Sequence, residues 1–539
     1  MDVIENIRFN IKTSLAKVGF NVELDDIVIE RSKDASHGDY ATNVAMKYAK
    51  ALQKNPRDLA NLIIENLDKS NFIKIEIAGP GFINFFVKND SLQKIIKEIA
   101  DQGDCYGCSP RNNIKVNVEF VSANPTGNLH VGTARGAAIG DSLCRILDFA
   151  GYDVTREYYV NDAGNQITNL GLSLLARYKE LYGIPCELPA DGYYGEDIIN
   201  IAKDIKEEIG DKGLNMENPL EFFKIEGTKR ELEKIKKVLE DFRVKFDVFS
   251  SEKEIRANDA VKKEIENLSN FIYKDGNALL LKTSDFLDDK DRVIVKSDGE
   301  YTYFLPDIVY HVNKLNRGFD KLIDILGADH HGYINRMKSA LMMHGHKEDV
   351  LDIELIQMVR FIKDNVEIKA SKRSGDAITL REIIDDIGVD AMRYFFAMRA
   401  PSAHLDFDMD LALEQSSNNP VYYAQYAHAR LCSVLESGKD FGIDYSGALL
   451  ETSSETAILK FLADFPKAIL EAAKEKAPYK ITNYIHSLAE LIHAFYNECR
   501  ILDKENVKLT KSRLGLCKAC QQVIKNALNL IAVSAPIHM

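Results

Sequence analysis

An α/β fold, built on a parallel nucleotide-binding sheet that a helical insertion splits, is predicted by three observations. A strand, loop, helix, strand unit occupies Val116–Gln166. The α/β pattern returns only near residue 292, after a long stretch of helical periodicity, and from about Leu411 onward the signal is nearly all helix. At 539 residues the chain is too long for one core, so we expect an N-terminal α+β module over 1–111, the sheet domain over 112–410 and an all-α helical bundle over 411–539.

The module reads as a helix over Val3–Val18, a second over Tyr40–Lys54, a third over Pro56–Leu67, and a strand pair around Phe72–Val87. Ala78-Gly79-Pro80-Gly81 supplies the tight turn between those strands. In the sheet domain, Ile114, Val116, Val118 and Phe120 alternate with polar residues, as in a strand with one buried face. The turn formers of Ser122–Asn128 follow, and then a helix whose Ala138, Leu143, Ile146, Leu147 and Ala150 fall at helical spacing before Gly151. Val154–Val160 makes the second strand. Residues 168–270, dense in Glu and Lys, form the insertion; Phe242, Val244, Phe246 and Val248 alternate near its end like a strand. Beyond it come a strand RVIVKS, a turn at Asp298-Gly299, the segment TYFLPDIVYH, a strand LIDILGADHHG and a helix through IELIQMVRF. Asn418–Leu435, Glu455–Glu475, Pro478–Arg500 and Lys511–Ala532 then make a bundle of roughly four helices.

With 45% hydrophobic and 28% charged residues, the composition is that of a soluble globular protein. No run of 18 apolar residues exists and the N-terminus lacks a signal-peptide pattern, so cytoplasmic residence and no membrane partner are expected. The eight cysteines include the pairs Cys105/Cys108 and Cys517/Cys520. They lie near opposite ends of the chain, where zinc ribbons keep their knuckles within about 15–20 residues, so reduced structural thiols are expected and no structural zinc. The net charge of −13 argues against non-specific polyanion binding. A local basic stretch, Lys504 to Met539, carries six cations against the single acid Glu505; it reads as a nucleic-acid patch or as a solvated helix face.

Two stretches carry chemistry. His130, Gly132 and Thr133 stand at a loop-to-helix junction behind Ser122-Ala123-Asn124-Pro125, where unpaired backbone N–H groups and the helix dipole favour a phosphate and glycine allows close approach. No GxxxxGK[ST] and no GxGxxG after a strand occur, which removes the main support for a P-loop or dinucleotide enzyme. Lys369-Ala370-Ser371-Lys372-Arg373-Ser374-Gly375 places three cations in a loop able to swing ammonium groups onto a polyphosphate. Taken singly, each stretch is also consistent with an ordinary turn.

Their order and combination resemble a class I aminoacyl-tRNA synthetase, and more closely the arginyl-tRNA synthetase family. The resemblance runs through GDYATNVAM, AGPGFINF, VEFVSANPTGNLHVG, REYYVNDAGNQI, GADHHGY, IKASKRSG, NNPVYYAQYAHAR and VSAPIHM, and covers nearly the whole chain. It implies a Rossmann-like catalytic domain and arginine–tRNA ligase activity: L-arginine and ATP give arginyl-adenylate and diphosphate, and the arginyl group then passes to tRNA(Arg). It implies His130, Lys372 and Lys369 as catalytic residues. ATP would be held by Pro125, Gly127, His130, Gly132, Thr133, Gly327, Asp329, His330, Ser371 and Lys372. Arginine would be held by Glu119, Ser122, Asn124, Tyr303, Asp307 and Gln357, with Glu252 as a further candidate acceptor. Tyr303 and Asp307, at i and i+4, would face one ligand together. The N-terminal module would meet the tRNA elbow and the bundle the anticodon, with Asn43, Tyr426, Lys511, Arg513 and Lys518 as contacts. Mg²⁺ would enter with ATP as substrate; no resident metal, no tightly bound cofactor and a monomeric state are implied. Two positions depart from the family motifs: Thr133 stands where the HIGH-type loop ends in histidine, and Ala370 where the KMSKS-type loop has methionine.

Overall fold

The computed structural model describes residues 3–32, 37–87, 89–257, 259–368 and 378–539. A five-stranded parallel sheet lies at its centre. Its strands are β1 (Lys115–Glu119), β2 (Asp153–Val160), β3 (Val248–Ser251), β4 (Lys321–Gly327) and β5 (Leu351–Ile356), in the spatial order β5-β4-β1-β2-β3. The helix α1 (Val131–Phe149) connects β1 to β2 and buries Ala134, Ala137, Ala138 and Leu143. It approaches the strand closely: a Cβ on Gly140 would fall 2.4 Å from the Phe120 ring, so glycine sets this contact. Gly151 ends the helix at φ +94°, again where a side chain would collide, with the Pro110 carbonyl.

Two excursions interrupt the sheet. The first is helical, Asn165–Glu180, Glu196–Ile209 and Pro219–Asp241, with its own small core of Leu170, Leu174, Tyr178, Ile201 and Phe223. The expected insertion over 168–270 overruns this, because β3 at Val248–Ser251 already belongs to the sheet. The second excursion carries a three-stranded antiparallel sheet, Ile272–Asp275, Ala278–Leu281 and Arg292–Val295, and then the helix α2 (Phe304–Asn316).

Three expected helices differ. Tyr40–Thr42 is a strand paired on both sides, leaving a helix only over Val44–Ala49. IELIQMVRF is extended, forming the end of β5 and a strand Val359–Lys363; a short apolar run fits a buried strand as well as a helix, and sheet neighbours decided it. The span Glu455–Glu475 divides into Ser453–Ala463 and Phe465–Lys474, since Pro466 has no N–H to continue the ladder. Five helices therefore make up the C-terminal region from Pro420 among the described residues.

Four cores are present among the described residues: the small one of the first excursion, one that packs the second excursion and α2 against Leu322 and Leu351, and two that hold the larger parts together. Residues Ile4 to Val87 form one of these two. The other is shared by the sheet, α1 and the C-terminal bundle, and takes in Leu92, Ile96 and Ile99 of the helix Asn89–Gln102. Arg393, wholly buried, joins them: it donates to Asp141 Oδ2 of α1 at 2.6 Å, to the Phe242 carbonyl at 3.1 Å and to the Ile531 carbonyl at 2.8 Å. No described helix is long and apolar enough to cross a membrane. Cys517 and Cys520 are buried, and burial pushes the Cys517 thiol up to about 12; Cys105 and Cys108 are exposed.

Candidate active site

The strand order reverses direction between β1 and β4, and in open parallel sheets ligands bind in the crevice beyond the strand ends at such a point. A cavity of about 680 Å³ opens there, within the usual range for a small-molecule site. Its wall includes His130, Gly132 and Thr133 from the start of α1, Gly327 and Asp329 from the end of β4, and Gln357 after β5. Ile368 and Ile378, which bracket residues 369–377, also line it. Lys369, Ser371 and Lys372 themselves lie outside the described residues.

His130 caps α1, its Nδ1 accepting from the Gly132 N–H at 2.8 Å. Its proton is therefore on Nε2, and burial holds the imidazole below its ordinary pKa, so the ring is a neutral donor. Gly132 is required by this cap, since a Cβ would stand 2.9 Å from His130 Nδ1. The Thr133 hydroxyl turns back to the His130 carbonyl at 2.6 Å, stiffening the junction. The junction is also tied to the chain that follows residue 377, by Val131 N–H to Ile378 O at 3.0 Å and Leu380 N–H to Leu129 O at 2.8 Å. Pro125, buried, and Gly127, half-buried, belong to the loop before the junction and not to the cavity wall. His330, next to Asp329, has Nε2 3.7 Å from that carboxylate.

Beside the cavity is an acidic recess. Glu119, at the end of β1, accepts from Ser122 Oγ at 3.0 Å and binds Lys314 Nζ at 2.5 Å. Val121 and Ser122 have φ of +70° and +42°, a strained turn that brings the Ser122 hydroxyl back over the strand end, where it also accepts from Tyr159 N–H at 3.0 Å. Asp307, in the first turn of α2, hydrogen-bonds Tyr333. Burial, reinforced by the nearby charges of Glu119 and Glu252, pushes its carboxyl up to about 7. Glu252 is 6% exposed and ion-paired with Arg256. Asn124 is held by Gln166 Oε1 at 2.6 Å. Tyr303 differs from expectation: it caps α2 at 83% exposure, while Asp307 one turn on is partly buried, so helical spacing alone does not give the two one environment.

Sequence reasoning missed the groups beneath the recess. Lys314 is fully buried and bridges Glu119 and Asp324, the latter at 3.1 Å. A signal existed: Asp307, His311 and Lys314 fall at i, i+4 and i+7 on one face of an otherwise apolar helix, and Asp324 interrupts the apolar strand LIDIL. Arg135 was missed as well. It is fully buried in α1 and donates to the carbonyls of Gln357 at 3.0 Å, Ala400 at 2.9 Å and Ala403 at 2.7 Å, fixing the chain after β5.

The expected tRNA contacts divide. Asn43 stands exposed at a helix start it does not cap, and Tyr426 stacks on Tyr422 and His493 while 41% exposed. Lys511 and Lys518 are half-buried on the C-terminal helix Val507–Leu530. Arg513 is a correction. It is 9% exposed and its Nε binds Glu455 Oε1 at 2.7 Å, so its charge is spent inside the bundle.

Comparison with known proteins agrees with this architecture along the chain. The family models described as arginyl tRNA synthetase N terminal domain, tRNA synthetases class I (R) catalytic domain and DALR anticodon binding domain match residues 5–87, 94–400 and 424–539. The arginine–tRNA ligase of Bacillus subtilis is 49% identical, over 99% of this chain and 98% of its own. That of Geobacillus kaustophilus is 49% identical over the whole of both chains. Among solved structures, a putative arginyl-tRNA synthetase from Campylobacter jejuni superposes with TM-score 0.78 at 34% identity, covering 84% of this chain and 100% of that one. The Thermus thermophilus arginyl-tRNA synthetase shares the fold at TM-score 0.77 and 22% identity, with both chains covered completely. The chain belongs to the arginyl-tRNA synthetase family of class I aminoacyl-tRNA synthetases.

Proposed function

We propose that the crevice beyond β1 and β4 is where ATP and L-arginine react, ATP in the cavity and the arginine side chain in the acidic recess. The enzyme is an arginine–tRNA ligase: it activates L-arginine with ATP to arginyl-adenylate and transfers the arginyl group to the 3′ end of tRNA(Arg). The observation that carries the site reading is the convergence of the α1 N-terminus, the end of β4 and both flanks of the Lys369–Lys372 segment on one cavity beside a carboxylate recess.

In this reading the positive end of the α1 dipole and the Nε2–H of neutral His130 face phosphate oxygens, and ATP enters as its Mg²⁺ complex. Lys372, with Lys369, stabilises the α-phosphate as charge moves to the leaving diphosphate. No side-chain nucleophile is needed, because the arginine carboxylate attacks the α-phosphorus and diphosphate leaves. Asp307 receives the guanidinium, and Glu119, Ser122, Asn124, Tyr303 and Gln357 complete the arginine site. A pocket of buried acceptors left unsatisfied by lysine supplies about 10⁴-fold discrimination without an editing step. The N-terminal module meets the tRNA elbow and the bundle the anticodon, through Asn43, Tyr426, Lys511 and Lys518. The enzyme works as a cytoplasmic monomer.

ATP–diphosphate exchange, run with each amino acid in the presence and absence of total tRNA, tests the reading. Exchange with arginine alone, dependent on tRNA, is expected. Exchange with another amino acid, or none with arginine while tRNA still binds, would refute it.

A further inference from the structure

His311 lies in α2 one turn beyond Asp307 and is 3% exposed. Its Nδ1 is 2.7 Å from the Asp307 backbone carbonyl and its Nε2 is 2.7 Å from Asp324 Oδ2. A carbonyl oxygen only accepts. Asp324 also only accepts: burial alone would raise its carboxyl, but the Lys314 ammonium, 3.1 Å from its other oxygen, outweighs that and keeps it ionised. Two acceptors on two ring nitrogens require two N–H donors, so the buried imidazole is an imidazolium.

That charge balances the recess. Lys314 and His311 carry two positive charges, and Glu119 and Asp324, which they bind, carry two negative ones. Asp307 stands outside this balance. It faces His311 on its own helix, Glu119 of β1, Tyr333 of the turn after β4, and Glu252, itself paired with Arg256, after β3; Tyr159 of β2 lies close by. With a neutral residue at 311 the buried group would carry a net negative charge, and a further carboxylate beside it would ionise less readily.

We propose that His311 is a positioning residue of the arginine site: as a buried imidazolium pinned between Asp324 and the Asp307 carbonyl, it fixes the first turn of α2 and supplies the positive neighbour that lets Asp307 ionise for a guanidinium. The inference rests on the reading of Asp307 as the guanidinium acceptor. Its consequence is a proton linkage, in which the empty site holds a proton on Asp307 and the entering cation displaces it. Affinity for arginine then rises with pH and levels off once Asp307 is ionised in the empty enzyme. ATP, bound elsewhere, does not share this dependence.

The test measures the KM of arginine and of ATP in aminoacylation from pH 6 to 9, for the native enzyme, His311→Gln and Asp307→Asn. With Asp307 at about 7 in the empty site, the native KM for arginine should fall about tenfold between pH 6 and 8. In His311→Gln the same fall should come at higher pH, with ATP unaffected. Asp307→Asn should raise the arginine KM and abolish its pH dependence. A native pH profile in His311→Gln overturns the proposal and leaves the arginine site standing; a native arginine KM in Asp307→Asn overturns the site reading itself. Should His311→Gln not fold, ¹⁵N spectra of the histidine-labelled native enzyme decide: one ring must stay protonated on both nitrogens at a pH where the exposed histidines have lost their second proton, and the absence of such a ring refutes the imidazolium.

Discussion

Replacing Asp307 by asparagine should make the empty protein more stable and the enzyme far worse, and the two effects have one cause. In the folded enzyme the Asp307 carboxyl sits at about 7, against 3.8 ordinarily. Between those values the folded chain binds the proton more tightly than the unfolded chain, so this group's contribution to stability declines as pH rises from about 4 to 7, then stays level. At about 1.4 kcal/mol per tenfold, the opposition to folding at pH 8 is at most about 4 kcal/mol. The side chain is partly open to the recess, and solvent screening brings the figure nearer 1–2 kcal/mol. Asparagine keeps the shape without the charge. Thermal melts should therefore show Asp307→Asn above the native protein at pH 8, with the gap narrowing at pH 5, where the native carboxyl is already neutral. Losing the ionic partner of a buried guanidinium costs about 3–5 kcal/mol, so kcat/KM for arginine should fall several hundredfold while the KM for ATP holds. A helix-dipole role for Asp307 predicts the opposite sign: the variant would lose about 0.3–1 kcal/mol and keep native arginine kinetics. That pair of results would refute the assignment.

Lys372→Ala should lower kcat for activation by about 2.7–4 kcal/mol in barrier terms with little change in the KM for ATP, because its contact is made as charge moves to diphosphate; a normal kcat in exchange assays would remove it from catalysis. Lys511→Ala with Lys518→Ala should weaken tRNA binding and flatten its salt dependence by about 0.7–0.9 per lost phosphate contact, as read from a salt titration. Arg513→Ala should instead destabilise the bundle by about 3–5 kcal/mol, the penalty for leaving Glu455 buried and unpaired, and show it as a lower denaturation midpoint with the salt slope unchanged in the folded fraction. Gly140→Ala should lower stability by about 1–3 kcal/mol in the same measurement, since the added methyl meets the Phe120 ring.

Family, activity and the order of domains could be read from the chain because they rest on local signals. The strand before Ser122, the helix that His130 caps and the periodic helices beyond Pro420 are each specified by neighbours in sequence, and the quoted motifs are contiguous. Helical spacing failed where pairing partners lay far away: β5 is a strand because β4 lies beside it, and Tyr40–Thr42 because Phe82–Val87 does. Composition likewise placed Arg513 on a basic surface, and only the fold supplied Glu455, 58 residues earlier, to bury it. The arginine recess shows the division most clearly. The residue types of Asp307, His311 and Lys314 and their shared helix face are written in α2. Their charge states are not, because these depend on burial and on Glu119 and Asp324, which reach the helix only when β1 and β4 align in one sheet. Electrostatic interactions in a low-dielectric interior act through space at a few ångströms, so chain order does not determine which carboxylate meets which cation.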